Sequence, residues 1–494
     1  MFPNKAVFWN VLLVVLGTSF RFGYNMTIVN PLNDVLEELM KDTMVSRYDW
    51  DLRSPKHLHW VAYINGLTGG TLFLGCVFGV LAYDKLASCC GRKTMLLFVQ
   101  GMMVVFSVLG LVSRYALFEL FLISQFGTGF FLSFGMATAT AFIMEVSHAR
   151  HVNFLNCMVA VGMEGGDALV NLLGMKIFFG TSEKWLCMII IPMIVNVVCF
   201  LGIFFYSKET PRWLLKEGRR EEALASIVFY LDVAVDEAEL QLNAFALSEN
   251  EKEVKRQTIL QTFRNPRTQN SIVMTTCATA CAVNSGAMAV SIFGTAILTK
   301  EAHLDETTSG FVNFGIAASY FTGLLVALMF FTNINHRLLL LYGIPLVTMC
   351  DVVFASFLFT VGNNSTTVST FVVYGMGGTL FSLAFIFSNT LEKIQFFNGA
   401  LITPLEAIDA TASMSFLMTN ITAFIVPLFF APLMENFHSF AFLPSVFSNL
   451  VFWFVFYKYY PRNSLYEDVA LVMAAEEKAK RKNFSYACYS NIIN

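Results

Sequence analysis

The chain has 494 residues, of which 56% are apolar and 14% are charged, and its formal net charge is −3. Because a soluble domain carries about 25% charged residues, this composition excludes an ordinary soluble protein. The mean hydropathy of +0.61 instead indicates a protein that lies largely within a membrane.

Twelve apolar stretches of roughly 20 residues are each long enough to cross a hydrocarbon core about 30 Å thick. Each is expected to be a helix, since a helix satisfies its own backbone hydrogen bonds in lipid. The sequence therefore predicts an all-α membrane protein with twelve transmembrane helices. The spans lie at residues 7–29, 59–83, 94–113, 117–144, 154–178, 185–206, 271–299, 308–331, 338–361, 368–390, 411–434 and 438–460. The eleventh is the weakest, because residues 391–409 before it form a mixed stretch.

The spans divide into two groups of six around one long polar loop. We expect an N-terminal six-helix half at residues 1–206, a cytosolic helical linker at 207–270, a C-terminal six-helix half at 271–460 and a cytosolic tail at 461–494. With a cytosolic N-terminus, Lys and Arg residues concentrate on the inner side, in agreement with the positive-inside rule. Lys5 precedes an apolar run too long for a cleavable signal peptide, so we expect the first span to target the chain.

Four short motifs lie within spans or at their ends. Residues 22–25 (Phe-Gly-Tyr-Asn) lie in the first span, 91–93 (Gly-Arg-Lys) follow the second, 145–147 (Glu-Val-Ser) follow the fourth, and 206–223 open the linker after the sixth. The last segment contains Glu-Thr-Pro-Arg-Trp-Leu and then Gly-Arg-Arg-Glu-Glu-Ala. These motifs resemble those of the sugar porters, the facilitative hexose transporters of the major facilitator superfamily. The resemblance implies two six-helix halves that rock around a solute site at mid-membrane.

Charged groups at the inner ends of the spans form a gate in sugar porters, where they pair and hold the outward-open state. By position, the resemblance assigns this inner gate to Arg92, Glu145, Glu209 and Arg212, with Arg337 as the counterpart kept in the second half. The alternative is that these side chains only anchor helix ends among the lipid headgroups. We favour the gate for Glu145 and Glu209, because the membrane topology does not call for acids there.

Polar residues along the predicted pathway indicate a passive carrier. The resemblance places Asn25 and Gln125 where proton-coupled members have Asp and Arg, and neither amide titrates near neutral pH. Most positions that contact a hexose in the family are apolar in this chain. The polar pathway residues that remain are Asn284 and Ser285 in the seventh span, Asn313 in the eighth and Asn420 in the eleventh.

Three charges fall inside predicted spans. Arg21 lies in the first span, while Glu164 and Asp167 lie one helical turn apart in the fifth. A charge at mid-membrane is costly, so such residues usually face a cavity or a partner. We predict that Arg21 pairs with Glu164 or Asp167, and we place Glu164 on the solute pathway. The group forms either a structural ion pair or a site for solute or protons.

Together these features predict a carrier that moves a hexose such as glucose by facilitated diffusion. Two alternatives stay open, a carrier of a charged or proton-coupled solute and a non-transporting nutrient sensor. No catalytic motif was found, and we expect no enzyme activity, cofactor or metal. The expected partners are a small solute and the lipid bilayer, with no nucleic acid and no obligate protein. We expect the plasma membrane, with both termini in the cytosol.

Overall fold

The structure is a computed structural model that describes residues 3–51, 54–87, 89–115, 118–148, 151–251, 257–330, 336–363, 370–392, 394, 402–404 and 406–460. All regular secondary structure in these residues is helical, so the all-α prediction is confirmed. The predicted tail at 461–494 lies outside the described residues. The domain boundaries proposed from the sequence stay predictions.

Helices occupy all twelve predicted span positions in the described part of the chain. They are Lys5–Gly17 continued by Ser19–Thr27, Pro55–Ala87, Arg92–Val112, Phe118–Val146, Val152–Leu173, Cys187–Tyr206, Gln269–Asn284 continued by Gly286–Ala296 and the π-helical Ile297–Glu301, Glu306–Phe330, His336–Asn363, Thr370–Phe387 continued by the π-helical Ser388–Glu392, Ile408–Phe437 and Leu443–Tyr459.

Ten stretches within the described ranges are long and apolar enough to cross a membrane by composition alone. The last of them, Ala410–Tyr459, is 50 residues long and contains both the eleventh and the twelfth helix. The fifth helix, Val152–Leu173, is not among the ten. It is more polar than the others because it carries Glu164, Asp167 and several asparagines.

The seventh span is broken in its middle. Ser285 has an extended backbone, with φ −63° and ψ 146°, and it separates two helical pieces. The N–H of Gly286, at the start of the second piece, donates to Asp351 Oδ2 in the ninth span at 3.3 Å. A Cβ at Gly286 would come within 2.2 Å of Asp351 Oδ1, so the contact needs glycine. Asp351 therefore occupies the positive end of this half-helix.

Helices outside the membrane lie on both sides. Asn33–Tyr48 forms an external helix that the sequence did not predict. Within the described part of residues 207–270 lie the helices Pro211–Lys216, Arg220–Leu231, Val235–Glu251 and Ile259–Arg264. Tyr230 is fully buried against residues of the first and fourth spans. The backbone N–H of Gln257 donates to the carbonyl oxygen of Glu406 at 2.9 Å, so the end of the linker contacts the second half.

The two groups of spans meet along the second and eleventh helices and along the fifth and eighth. Glycines let the second helix approach closely. A Cβ at Gly66 would lie 2.6 Å from the carbonyl oxygen of Pro427, and one at Gly70 would lie 2.9 Å from that of Phe424. These positions lie in the N-terminal and middle parts of the second helix, so the described contacts join the halves on the side that the charge distribution predicts to be external.

Candidate functional site

Two of the residues assigned to the inner gate, Arg92 and Glu145, form an ion pair with each other. Arg92 begins the third helix, Glu145 lies near the end of the fourth, and Arg92 Nε is 3.2 Å from Glu145 Oε1. Both side chains are mostly buried. The pair joins two helices of the same half.

Glu209 caps the third helix. Its Oε1 accepts from the N–H of Lys93 at 2.8 Å, and its Oε2 accepts from the N–H of Thr94 at 3.3 Å. These groups have no partner within the helix, and the helix dipole favours an anion beside them. A Cβ on Gly91 would lie 2.2 Å from Glu209 Oε2, so glycine makes room for the carboxylate. The acid thus stabilises a helix end that belongs to the Gly-Arg-Lys motif.

The other two predicted gate residues lie in different helices. Arg212 is half-buried near the start of the first linker helix. Arg337 Nη2 donates to the carbonyl oxygen of Tyr457 at 3.2 Å, which ties the ninth span to the twelfth within the second half. The contacts described for Arg92, Glu209 and Arg337 each join helix ends within one half.

An asparagine network joins the two halves near the external side. Asn30, just after the first span, donates to Asn313 Oδ1 at 3.0 Å and to the carbonyl oxygen of Ser291 at 2.8 Å. Asn30 Oδ1 accepts from the N–H of Thr295 at 2.8 Å. One side chain from the first half thus contacts both the broken seventh span and the eighth span.

The network continues into the fifth span. Asn313 donates to Asn171 Oδ1 at 2.7 Å, and Asn171 donates to Asp167 Oδ1 at 2.9 Å. Thr27 of the first span also donates to this carboxylate. Together with Asn30, these four side chains are at least nine-tenths buried. Each hydrogen bond therefore replaces one that water would otherwise supply.

Ion pairs surround the asparagine network at the external rim. Lys300 Nζ lies 2.6 Å from Glu37 Oε2, and Lys176 pairs with Glu306. Burial raises the pKa of the Glu37 carboxyl, but hydrogen bonds from Lys300 and Lys41 outweigh it and leave the pKa below its ordinary value. We call the network and these two cross-half ion pairs the outer seal. A cavity of about 280 Å³ lies beside it and is lined by both halves.

In the middle of the membrane, two carboxyl groups face each other across the halves. Glu164 lies near the middle of the fifth helix, and Glu392 ends the π-helical segment of the tenth span. The two carboxyls lie within hydrogen-bonding reach of each other. Ser388 also donates to Glu392 Oε2. We call Glu164 and Glu392 the central carboxyl pair.

The predicted pairing of Arg21 with an acid is absent from the structure. The Arg21 guanidinium donates to Ser107 Oγ of the third span at 2.7 Å, while Asp167 bonds to Thr27 and Asn171 and Glu164 faces Glu392. Among the described residues, Arg21 Nε and Nη1 have no hydrogen-bond partner. Arg21 and Thr27 are six residues apart on the helix and point to different faces, so Arg21 lies against the third span while Thr27 contacts Asp167 of the fifth.

Most other predicted pathway residues bond to their own helices. Asn25 donates to the carbonyl oxygen of Arg21 at 2.8 Å, Asn420 to that of Phe416 at 2.7 Å and Ser285 to that of Ala282 at 2.7 Å. Gln125 is buried, and Asn284 is half-buried at the break of the seventh span. Among the predicted pathway residues, Asn313 joins the asparagine network between the halves, and Glu164 contacts Glu392 of the second half.

Sequence reasoning missed Asn30, Asn171 and Glu392. The two asparagines lie in or beside apolar runs, and an amide buried there needs a hydrogen-bond partner. Their position in the sequence was therefore the signal that could have identified them. Glu392 falls just beyond the predicted end of the tenth span, in the mixed stretch at 391–409, and was given no role there. Among the described residues, no group of three or more His, Cys, Asp or Glu side chains could hold a metal ion.

Comparison with known proteins places this arrangement in context. The family model described as "Sugar (and other) transporter" matches residues 11–464. Facilitated glucose transporter member 3 of Ovis aries is 23% identical over 342 residues, which cover 68% of this chain and 66% of the relative. The chain thus spans about two thirds of the length of that curated relative.

Solved structures show the same fold. The inward-open xylose transporter XylE from E. coli has a TM-score of 0.74 at 13% identity, covering 94% of this chain and 99% of that chain. The major facilitator superfamily proton:xylose symporter XylE bound to 6-bromo-6-deoxy-D-glucose has a TM-score of 0.68 at 13% identity, covering 94% and 97%. The predicted major facilitator fold is therefore confirmed.

Proposed function

Because the chain belongs to the family of sugar (and other) transporters, we propose that it carries a hexose such as glucose across a membrane by facilitated diffusion. Members of this family are carriers and not enzymes. Alternating access is the expected mechanism, with the two halves rocking around a central site.

The outer seal is the observation that supports the mechanism most directly. It joins the halves through side-chain contacts such as Asn30 with Asn313 and Lys300 with Glu37. Such contacts can be exchanged for water when the halves separate, so their net free energy is small. A barrier of this kind suits a carrier, which must open and close it in every cycle.

The polar side chains of the interior are the candidates for hexose contacts. A sugar hydroxyl buried without a partner is costly, so the site must offer donors and acceptors. We assign this role to Gln125, Asn284, Ser285, Asn313 and Asn420, with Glu164 as an acceptor for hydroxyl groups. Asn25 completes the set in the first span. The amides at positions 25 and 125 support passive transport, because neither carries a proton.

The membrane setting follows from the surface of the helices. Large apolar side chains such as Phe98, Phe205 and Phe454 are exposed on the spans, where lipid would cover them. The clustering of Lys and Arg supports cytosolic termini. We place the carrier in the plasma membrane and expect no obligate protein partner. At the inner face, we assign the gate to Arg92, Glu145, Glu209, Arg212 and Arg337.

Reconstitution into liposomes tests this function. Purified protein is tested with labelled D-glucose, other hexoses, polyols and organic ions, with L-glucose and protein-free liposomes as controls. The proposal predicts saturable uptake of at least one hexose that unlabelled sugar competes away. Uptake of another solute class alone would overturn the hexose assignment. Sugar binding without any flux would instead identify a sensor on the carrier fold.

A further inference from the structure

The central carboxyl pair brings together two acids from different halves of the molecule. Glu164 and Glu392 are each about 95% buried and lie within hydrogen-bonding reach. The eighth span marks their depth, because the Ser388 hydroxyl contacts both Glu392 and the carbonyl oxygen of Tyr320, which lies near the middle of that span. The pair therefore lies where the solute site of a carrier is expected.

The groups around the pair supply no compensating positive charge. On the fifth span, Asp167 adds a further acid, held by Thr27 and Asn171. On the eighth, the Tyr320 hydroxyl donates to the carbonyl oxygen of Ala287 at 3.3 Å. On the first, the Arg21 guanidinium contacts Ser107. No Lys, Arg or His among the described residues forms an ion pair with Glu164 or Glu392, and the described acids do not form a metal site.

Two carboxylates in contact away from water cannot both stay ionised, because each charge raises the free energy of the other. One shared proton removes the repulsion and lets one carboxyl donate to the other. Glu392 Oε1 has no hydrogen-bond donor among the described residues, and this proton would supply one. The contact between the halves thus needs one proton that the protein itself does not provide.

We propose that Glu164 and Glu392 form a proton-binding site between the halves, so that closure of the outer seal takes up one proton. The proton binds a carboxylate oxygen from water and is released unchanged when the carboxyls separate. Ionisation of both acids then drives the halves apart. The inference deepens the proposed carrier function by making its conformational change depend on pH, although Asn25 and Gln125 cannot titrate.

The test measures the distance between the outer ends of the two halves without any solute. Spin labels are attached at Ser46→Cys and Thr307→Cys, which are exposed on opposite halves, in a background with serine at positions 89 and 488. In the wild-type background, the ratio of closed to open molecules should fall between pH 5 and pH 9. One linked proton gives a change of up to about tenfold per pH unit.

Substitutions at the pair separate a shared proton from other causes. Glu164→Gln places an amide donor beside Glu392, so the closed distance should persist at every pH. Glu392→Gln tests the same contact from the other half if the first variant does not fold. Glu392→Lys should also hold the closed state throughout, because it creates a direct ion pair. Asp351→Asn removes a buried acid that contacts only its own half and should keep the wild-type response.

Two results would overturn the proposal. One is a wild-type distance that does not change between pH 5 and pH 9. The other is a Glu164→Gln or Glu392→Gln variant that responds to pH as the wild type does. Since no solute is present, failure to transport any hexose would leave the proton site standing, and failure of the proton site would leave sugar uptake unaffected.

Discussion

At the scale of single residues, the acids of this chain act through different kinds of partner. Glu145 pairs with a guanidinium, Glu209 binds three backbone N–H groups, and Glu164 faces another carboxyl. A carboxylate at a helix N-terminus is favoured by unpaired donors and by the helix dipole. Glu209 is therefore expected to stabilise the third helix independently of any role in gating.

Removal of the Glu209 cap gives the first prediction. Glu209→Ala should lower the free energy of unfolding by about 1 kcal/mol, since the N–H groups of Lys93, Thr94 and Thr210 lose this partner. The thermal unfolding midpoint in detergent measures the change. Glu217→Ala removes an exposed acid from the same segment and should leave the midpoint unchanged. Equal midpoints for the two variants would contradict the capping role.

The response of the outer seal to low pH gives the second prediction. Because the pKa of Glu37 is lowered in the closed structure, its pair with Lys300 contributes stability above the ordinary pKa of about 4.5. This contribution is lost as the pH falls through the lowered pKa. The outer ends should therefore begin to separate below about pH 4.5, and Glu37→Gln should abolish this acid response. The spin-label distance measures both, and an unchanged acid response in Glu37→Gln would refute the role of Glu37.

The sequence identified some of these residues and missed others for physical reasons. Arg92 and Glu145 were assigned to the gate because their motifs resemble those of the sugar porters, in which groups at these positions pair. The pairing of Arg21 was predicted from depth alone, but the side chain points to Ser107. Charge and depth do not specify the face of a helix. Glu392 was missed because the helix extends beyond the apolar run.

At the scale of helices, close contact between the second and eleventh spans closes the external side. The approach depends on Gly66 and Gly70, whose Cβ positions would meet the backbone of the eleventh helix. Backbone atoms cannot move aside as a side chain can. A larger side chain at either glycine is therefore expected to push the second and eleventh helices apart.

Enlarging the second helix gives the third prediction. Gly66→Val should shift the molecule towards the open external side, because the added atoms overlap the carbonyl oxygen of Pro427. The spin-label distance should increase. Gly101→Val is the matched control, since a Cβ at Gly101 meets nothing within 4 Å. A closed distance in Gly66→Val would show that this contact does not set the seal.

The break in the seventh span gives the fourth prediction. Gly286→Ala should lower the free energy of unfolding by roughly 1–3 kcal/mol, because its Cβ overlaps Asp351 Oδ1. Thermal unfolding measures the effect. Pairing Gly286→Ala with Asp351→Ala should restore part of the loss by making space. No destabilisation in the single variant would mean that Asp351 can move away.

The sequence predicted where the membrane spans lie better than it predicted breaks within them or helices outside them. The twelve spans follow from apolar length, because lipid imposes one strong requirement on all of them. The external helix Asn33–Tyr48 was missed because its mixed polarity lacks that signal. The break at Ser285 is followed by a contact between Gly286 and Asp351, which are 65 residues apart along the chain, so the local sequence does not reveal it.

At the scale of the whole molecule, the structure has its halves joined at the external side. The described contacts between them run from the ion pair of Lys300 with Glu37 at the rim to the central carboxyl pair. The sequence predicted the two-half architecture but not this state. Both states of a carrier bury similar apolar surfaces, so the hydrophobic pattern does not distinguish them.

Transport by a carrier requires that the outer seal open in every cycle, and this is the central claim. The direct measurement uses Glu37→Cys with Lys300→Cys in liposomes, joined by a short reducible thiol cross-linker. We predict competable hexose uptake before cross-linking, loss of uptake when the cross-link forms and recovery after reduction. Uptake that continues in fully cross-linked protein, or the absence of any competable hexose uptake before cross-linking, would contradict the account.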